Sequence, residues 1–167
     1  MNKGDINSLA SSPDGKTLYA AADGTVWSVP SAGGDARKVR EGDSIIAYPD
    51  GRHLLVAVVE SSKFRLFRVP LDGGSEDEIK MHGSIPLWSG FLSPNALNAD
   101  VRLLLSLAPW DSWFNSTGIL DTATGRLTRI PGDDVSDIHS MAWLPDGKIM
   151  ELRVGLRSTL WKFQPQK

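Results

Sequence analysis

The sequence predicts an all-β fold: about four copies of one unit, each a four-stranded antiparallel meander. Three observations carry that reading. The phrase Ser12-Pro13-Asp14-Gly15-Lys16 returns as Tyr48-Pro49-Asp50-Gly51-Arg52 and as Leu144-Pro145-Asp146-Gly147-Lys148. A short apolar run follows each copy, and a second phrase with strand-like alternation recurs downstream of the first two and near the C-terminus. Repeats of roughly 40–50 residues made of four short strands are the blades of a β-propeller.

The first phrase is a turn for local reasons. Proline presets φ, the aspartate side chain bonds its own backbone, and glycine accepts the positive φ that closes the turn. A degenerate copy is read at Leu92-Ser93-Pro94, with Asn98-Ala99-Asp100-Val101-Arg102 stretching the turn. On that reading prolines 13, 49, 94 and 145 step by 36, 45 and 51 residues. Since Asp100-Val101 stands where the other units have Asp-Gly, the third hairpin is expected to turn differently.

Strands follow each turn over 18–22, 54–59, 103–107 and 149–154, the last interrupted by Glu151 and Arg153. The run from His53 to Val59 has no polar alternation, which implies burial on both faces between neighbouring blades. The second phrase, Thr25-Val26-Trp27-Ser28-Val29-Pro30, matches Arg65-Leu66-Phe67-Arg68-Val69-Pro70 and resembles Thr159-Leu160-Trp161-Lys162-Phe163. It has the period of a strand with two unlike faces. Gly33-Gly34, Gly73-Gly74 and Thr124-Gly125 then turn the chain into outer strands at 36–40, 77–81 and 126–130. The blades are approximately 5–42, 43–82, 83–132 and 133–167, in one propeller region spanning 1–167.

Composition bounds the function. The 167 residues are 41% hydrophobic and 23% charged with a net charge of -2, the balance of a folded globular chain. With 18 basic against 20 acidic residues there is no positive field for a phosphate backbone, so no nucleic-acid partner is expected. There is no cysteine for a disulfide, thiolate metal site or nucleophile. No segment has the length and apolarity of a membrane span.

The repeated Ser-Pro-Asp-Gly-Lys turn resembles the WD40-like, TolB-type (PD40) propeller repeat. The string Val69-Pro70-Leu71-Asp72-Gly73-Gly74 also resembles propeller regions of bacterial eukaryotic-like Ser/Thr kinases and of prolyl-oligopeptidase-type proteins. The resemblance implies the fold and, through the TolB type, the bacterial cell envelope. It implies no kinase or peptidase activity, because the motifs of neither are present. The last unit reads as stopping after its third strand, which leaves that blade incomplete. An open array would expose apolar end faces, covered either by more blades of a longer protein or by a second copy in a homodimer.

Few residues suggest chemistry. His53, His82 and His139 are scattered, and no cofactor or metal is expected. Asp133, Asp134 and Asp137 form the densest acidic stretch but lack the order of a calcium loop. The Pro-Asp-Gly aspartates are explained by their turns. No catalytic residue is assigned. The candidate binding residues are Trp110, Asp111 and Trp113 in the aromatic segment 108–115, with Trp88 facing the same rim. Trp113 and Phe114 have a competing reading as members of the third strand. Aromatic loops supply large contact area for protein, peptide or small-molecule recognition. The leading expectation is therefore a non-catalytic binding or sensor module of a larger protein. The alternatives are a lactonase- or hydrolase-like enzyme with a metal in the central channel, and a purely structural assembly module.

Overall fold

A computed structural model gives the structure of residues 5–60, 63–83, 87, 92–93, 95–132 and 135–155. In the three Pro-Asp-Gly turns the glycine N–H donates three residues back, Gly15 to Ser12 at 2.9 Å, Gly51 to Tyr48 at 3.0 Å and Gly147 to Leu144 at 3.0 Å. Each aspartate Oδ1 accepts the N–H two residues on, at Lys16 (3.1 Å), Arg52 (2.8 Å) and Lys148 (3.1 Å). Gly15, Gly51 and Gly147 take φ of 68°, 67° and 79°, the left-handed region that favours glycine.

These turns organise antiparallel meanders. The first sheet is β1 (Ile6–Ser11), β2 (Thr17–Ala22), β3 (Thr25–Pro30) and β4 (Arg37–Glu41), paired in that order. The second is β5 (Ser44–Ala47), β6 (His53–Glu60), β7 (Lys63–Pro70) and β8 (Asp77–Glu78), again in order. The third contains β9 (Arg102–Leu107), β10 (Ser116–Asp121) and β11 (Leu127–Arg129). Antiparallel bridges from Leu87 to Leu107 and from Leu97 to Leu103 add these two residues to the free edge of β9. The fourth sheet is β12 (Ser136–Trp143) with β13 (Ile149–Gly155), and the expected third strand at 159–163 lies outside the described residues. No helix occurs among the described residues.

The third hairpin corrects the sequence reading. Its turn is Asn98-Ala99-Asp100-Val101, with the Val101 N–H donating to the Asn98 carbonyl at 3.1 Å as glycine does elsewhere. Val101 holds φ 56°, so a β-branched residue occupies the glycine position. Asn98 Oδ1 accepts the Arg102 N–H at 2.9 Å, a side-chain cap that the other units draw from the aspartate. The third turn therefore bends like the others, and Pro94 is not its proline.

The core lies between sheets. On β6, Leu54 and Val56 pack with Tyr19, Val26, Ile45 and Phe67 against the first sheet. Leu55 and Ala57, pointing the other way, join Leu103, Leu105, Ile138 and Met141 in a second cluster reaching the fourth. The centre of the apolar run, Leu54 to Ala57, is thus buried on both faces, while Val59 at its end is exposed. Glu151 and Arg153, which interrupt β13, face the third sheet as a pair. Arg153 Nε donates to Glu151 at 2.7 Å, and Glu151 also accepts the buried Thr117 hydroxyl.

Serines tie the first strands together, Ser8 Oγ accepting the Ile45 N–H at 2.8 Å and Ser44 Oγ the Leu92 N–H at 2.9 Å. At the outer edge His82 bridges to Arg126 in parallel, joining the second and third sheets. The outward faces of the end sheets are apolar and open. Leu9 is 67% exposed at one end and Leu152 61% at the other, flanked by Leu18 and by Met150 and Val154.

Candidate functional site

The segment after β9 cannot continue as a strand, because Pro109 follows Leu107 after one residue and removes an N–H. It forms a loop, and β10 begins only at Ser116. Trp113 and Phe114 therefore lie outside the third strand, contrary to the competing reading. Trp110 is 86% exposed and Trp113 fully exposed, whereas Pro109 is buried and Phe114 half-buried. The loop stands on its proline and phenylalanine and presents its two indoles to solvent.

Three contacts fix it. The Ser112 hydroxyl accepts the Phe114 N–H at 3.0 Å, and Asp137 Oδ1 on β12 accepts the Asn115 N–H at 2.9 Å. Arg129 Nη1 donates to both Asp111 oxygens, at 2.8 and 3.0 Å. Asp111 is largely exposed, so this ion pair adds little stability; its effect is to anchor the loop over the outer strand. Arg129 was missed by the sequence reading, which has no signal for a partner 18 positions away on another strand. Asp111 is brought together with the two tryptophans on one loop, while Trp88 lies outside the described residues.

Asp137 Oδ1 accepts the backbone N–H groups of Asn115 and Ile138, and Asp133 and Asp134 lie outside the described residues. Among the described residues no three His, Asp or Glu side chains gather where a metal ion could be held. A groove of about 280 Å3 runs along the first strands, lined by Asn7, Ser8, Asn95 and apolar residues. None of the described lining residues is a carboxylate or imidazole. The described residues also contain no helix long and apolar enough to cross a membrane.

No protein-family model matches the chain, and no curated protein matches it. Solved structures do. The fold is similar to TolB of Agrobacterium tumefaciens, with a TM-score of 0.66 at 18% identity over 91% of this chain and 58% of that one. It is similar to TolB of Acinetobacter baumannii (TM-score 0.62, 21% identity, 87% of this chain and 36% of that one). It also resembles an oligogalacturonate lyase of Vibrio parahaemolyticus (TM-score 0.62, 17% identity, 95% and 48%). The chain thus spans between about a third and three-fifths of the length of these structures. Its repeated antiparallel meanders are the blades of a β-propeller, the fold it shares with these structures.

Proposed function

We propose that the chain is a non-catalytic binding module of a larger propeller protein, and that the Trp110–Trp113 loop makes the contact. The observation that supports this is the exposure of both indoles on a loop fixed by Asp111–Arg129 and Asn115–Asp137. Burying a large apolar side chain stabilises a complex by about 1.5–3 kcal/mol. A loop already held in shape loses little entropy on binding.

Purified protein and the W110A/W113A double variant, probed on peptide and glycan arrays, test the reading. Parent signals that vanish in the variant, with the thermal transition unchanged, are the expected result. Signals equal in both proteins overturn the loop assignment. A stoichiometric divalent ion in the purified protein, measured by elemental analysis, would reverse the ranking against the enzyme.

The open apolar end faces support placement within a larger ring. Leu9 and Leu18, like Met150 and Leu152, occupy faces that a neighbouring blade covers inside the array. Further blades of the parent protein are the favoured cover, and a second copy is the other. Light scattering on the isolated chain separates them: a closed dimer speaks for the second copy.

A further inference from the structure

Successive first turns do not meet alike. Between the first and second blades the Pro13 ring lies on Gly51, so closely that a Cβ on Gly51 would stand 2.5 Å from Pro13 Cγ. In the third turn Ala99 takes the proline's place and brings no ring. Gly147, the counterpart of Gly51 on the fourth blade, would meet nothing within 4 Å if it carried a Cβ. The unfilled space belongs to a cleft of about 620 Å3 between the third and fourth turns.

The walls of this cleft are held firmly. Trp143 lines it with its Nε1 donating to the Arg102 carbonyl and its backbone N–H to the Asn95 carbonyl, both at 3.0 Å. Pro145 extends the apolar wall, and Asn95 and Asn98 bring side-chain amides. Asp100 places a carboxylate at the edge. Asn95, ahead of the third turn, and Val101, which closes it, hold φ of 60° and 56°. Strained backbone of this kind gathers at binding sites where packing over-determines it.

We propose that the cleft takes a proline ring from a partner, as part of an extended proline-containing peptide. The chain itself shows the fit, since Pro13 fills the equivalent seat two seams away, and the cleft continues the seam that Trp143 bridges. A polyproline segment presents rings and carbonyl acceptors but few N–H donors. An indole and proline wall with two amides complements that chemistry. Asp100 disfavours a peptide with an acidic residue beside the proline. This seat is separate from the tryptophan loop, because β9 runs between them and its six residues span about 20 Å.

The test is calorimetric titration with a blocked nonapeptide of repeated Pro-Pro-Ala, with the all-alanine peptide and maltotriose as competitors for the role. The parent is expected to bind the proline peptide saturably and neither of the others. Ala99→Pro, which supplies the ring that Pro13, Pro49 and Pro145 carry at the same turn position, should fold normally and weaken binding about tenfold or more. Asn95→Gly suits the positive φ and keeps the carbonyl that holds Trp143, so it should weaken binding without lowering the melting transition. No binding by the parent, equal binding by A99P and N95G, or preference for maltotriose would each overturn the proposal.

Discussion

The Tyr48 phenol donates to the Thr122 hydroxyl at 3.0 Å, and that hydroxyl donates to the Val101 carbonyl at 2.7 Å. Tyr48 and Thr122 are buried, so the relay carries the second blade's turn into the third without help from water. Tyr48→Phe keeps the ring and removes the link. A loss of about 1–2 kcal/mol in urea unfolding is expected. An unchanged midpoint would show that the relay contributes nothing.

The same relay holds a strained residue in place. Val101 at φ 56° sits where the other turns use glycine, and left-handed backbone costs an ordinary residue about 1–2 kcal/mol. Val101→Gly relieves that strain but gives up a half-buried isopropyl group of similar worth. Its stability should stay within about 1 kcal/mol of the parent. A loss beyond about 3 kcal/mol would argue that the backbone there is not strained.

Glycines with similar positive φ, 68° at Gly15 and 75° at Gly125, should differ in cost. A Cβ on Gly125 would stand 2.0 Å from the Lys80 carbonyl oxygen, a backbone atom in the seam where His82 bonds Gly125 and Leu127. Gly15 has open space at the same distance. Gly15→Ala is expected to cost about 1–2 kcal/mol, from φ alone. Gly125→Ala should cost several-fold more or leave the protein unfolded by circular dichroism. Equal melting temperatures for the two would refute the seam as a rigid contact.

Four turn aspartates tie stability to pH. The Ser12 hydroxyl, then the Lys16 N–H, lowers Asp14; the Thr124 N–H lowers Asp121; the Lys148 ammonium lowers Asp146. For Asp50, burial pushes upward, and the donors of Arg52 and His53 outweigh it so that the net shift is down. A depressed carboxylate adds stability that is present above the unfolded value of about 3.9 and lost as pH falls through the lower folded values. Urea midpoints should therefore fall as pH is taken from about 5 to 3. Midpoints that rise over that interval would contradict the turn chemistry.

Residues close in sequence specify much of this fold on their own. Pro-Asp-Gly closes its turn through bonds spanning two or three residues, so it can be read without knowing the neighbours. His53 to Val59 carries apolar side chains on both faces, and that alone requires a layer on each side. Trp110 beside Pro109 could be placed in a loop because proline cannot continue the strand.

Longer reach belonged to the tertiary structure. Val101 accepts a glycine's φ because Thr122 and Tyr48, 74 positions apart, hold its carbonyl, and local propensity argues the opposite. Arg129 meets Asp111 only once β11 lies alongside β10. The cleft at Trp143 exists because Ala99 brings no ring over Gly147, a vacancy defined by two turns far apart in the chain. Sequence determined the three Pro-Asp-Gly turns and the strands beside them through short-range backbone chemistry. Packing one blade on the next decided where strain is held, where the indoles stand and where a cleft opens.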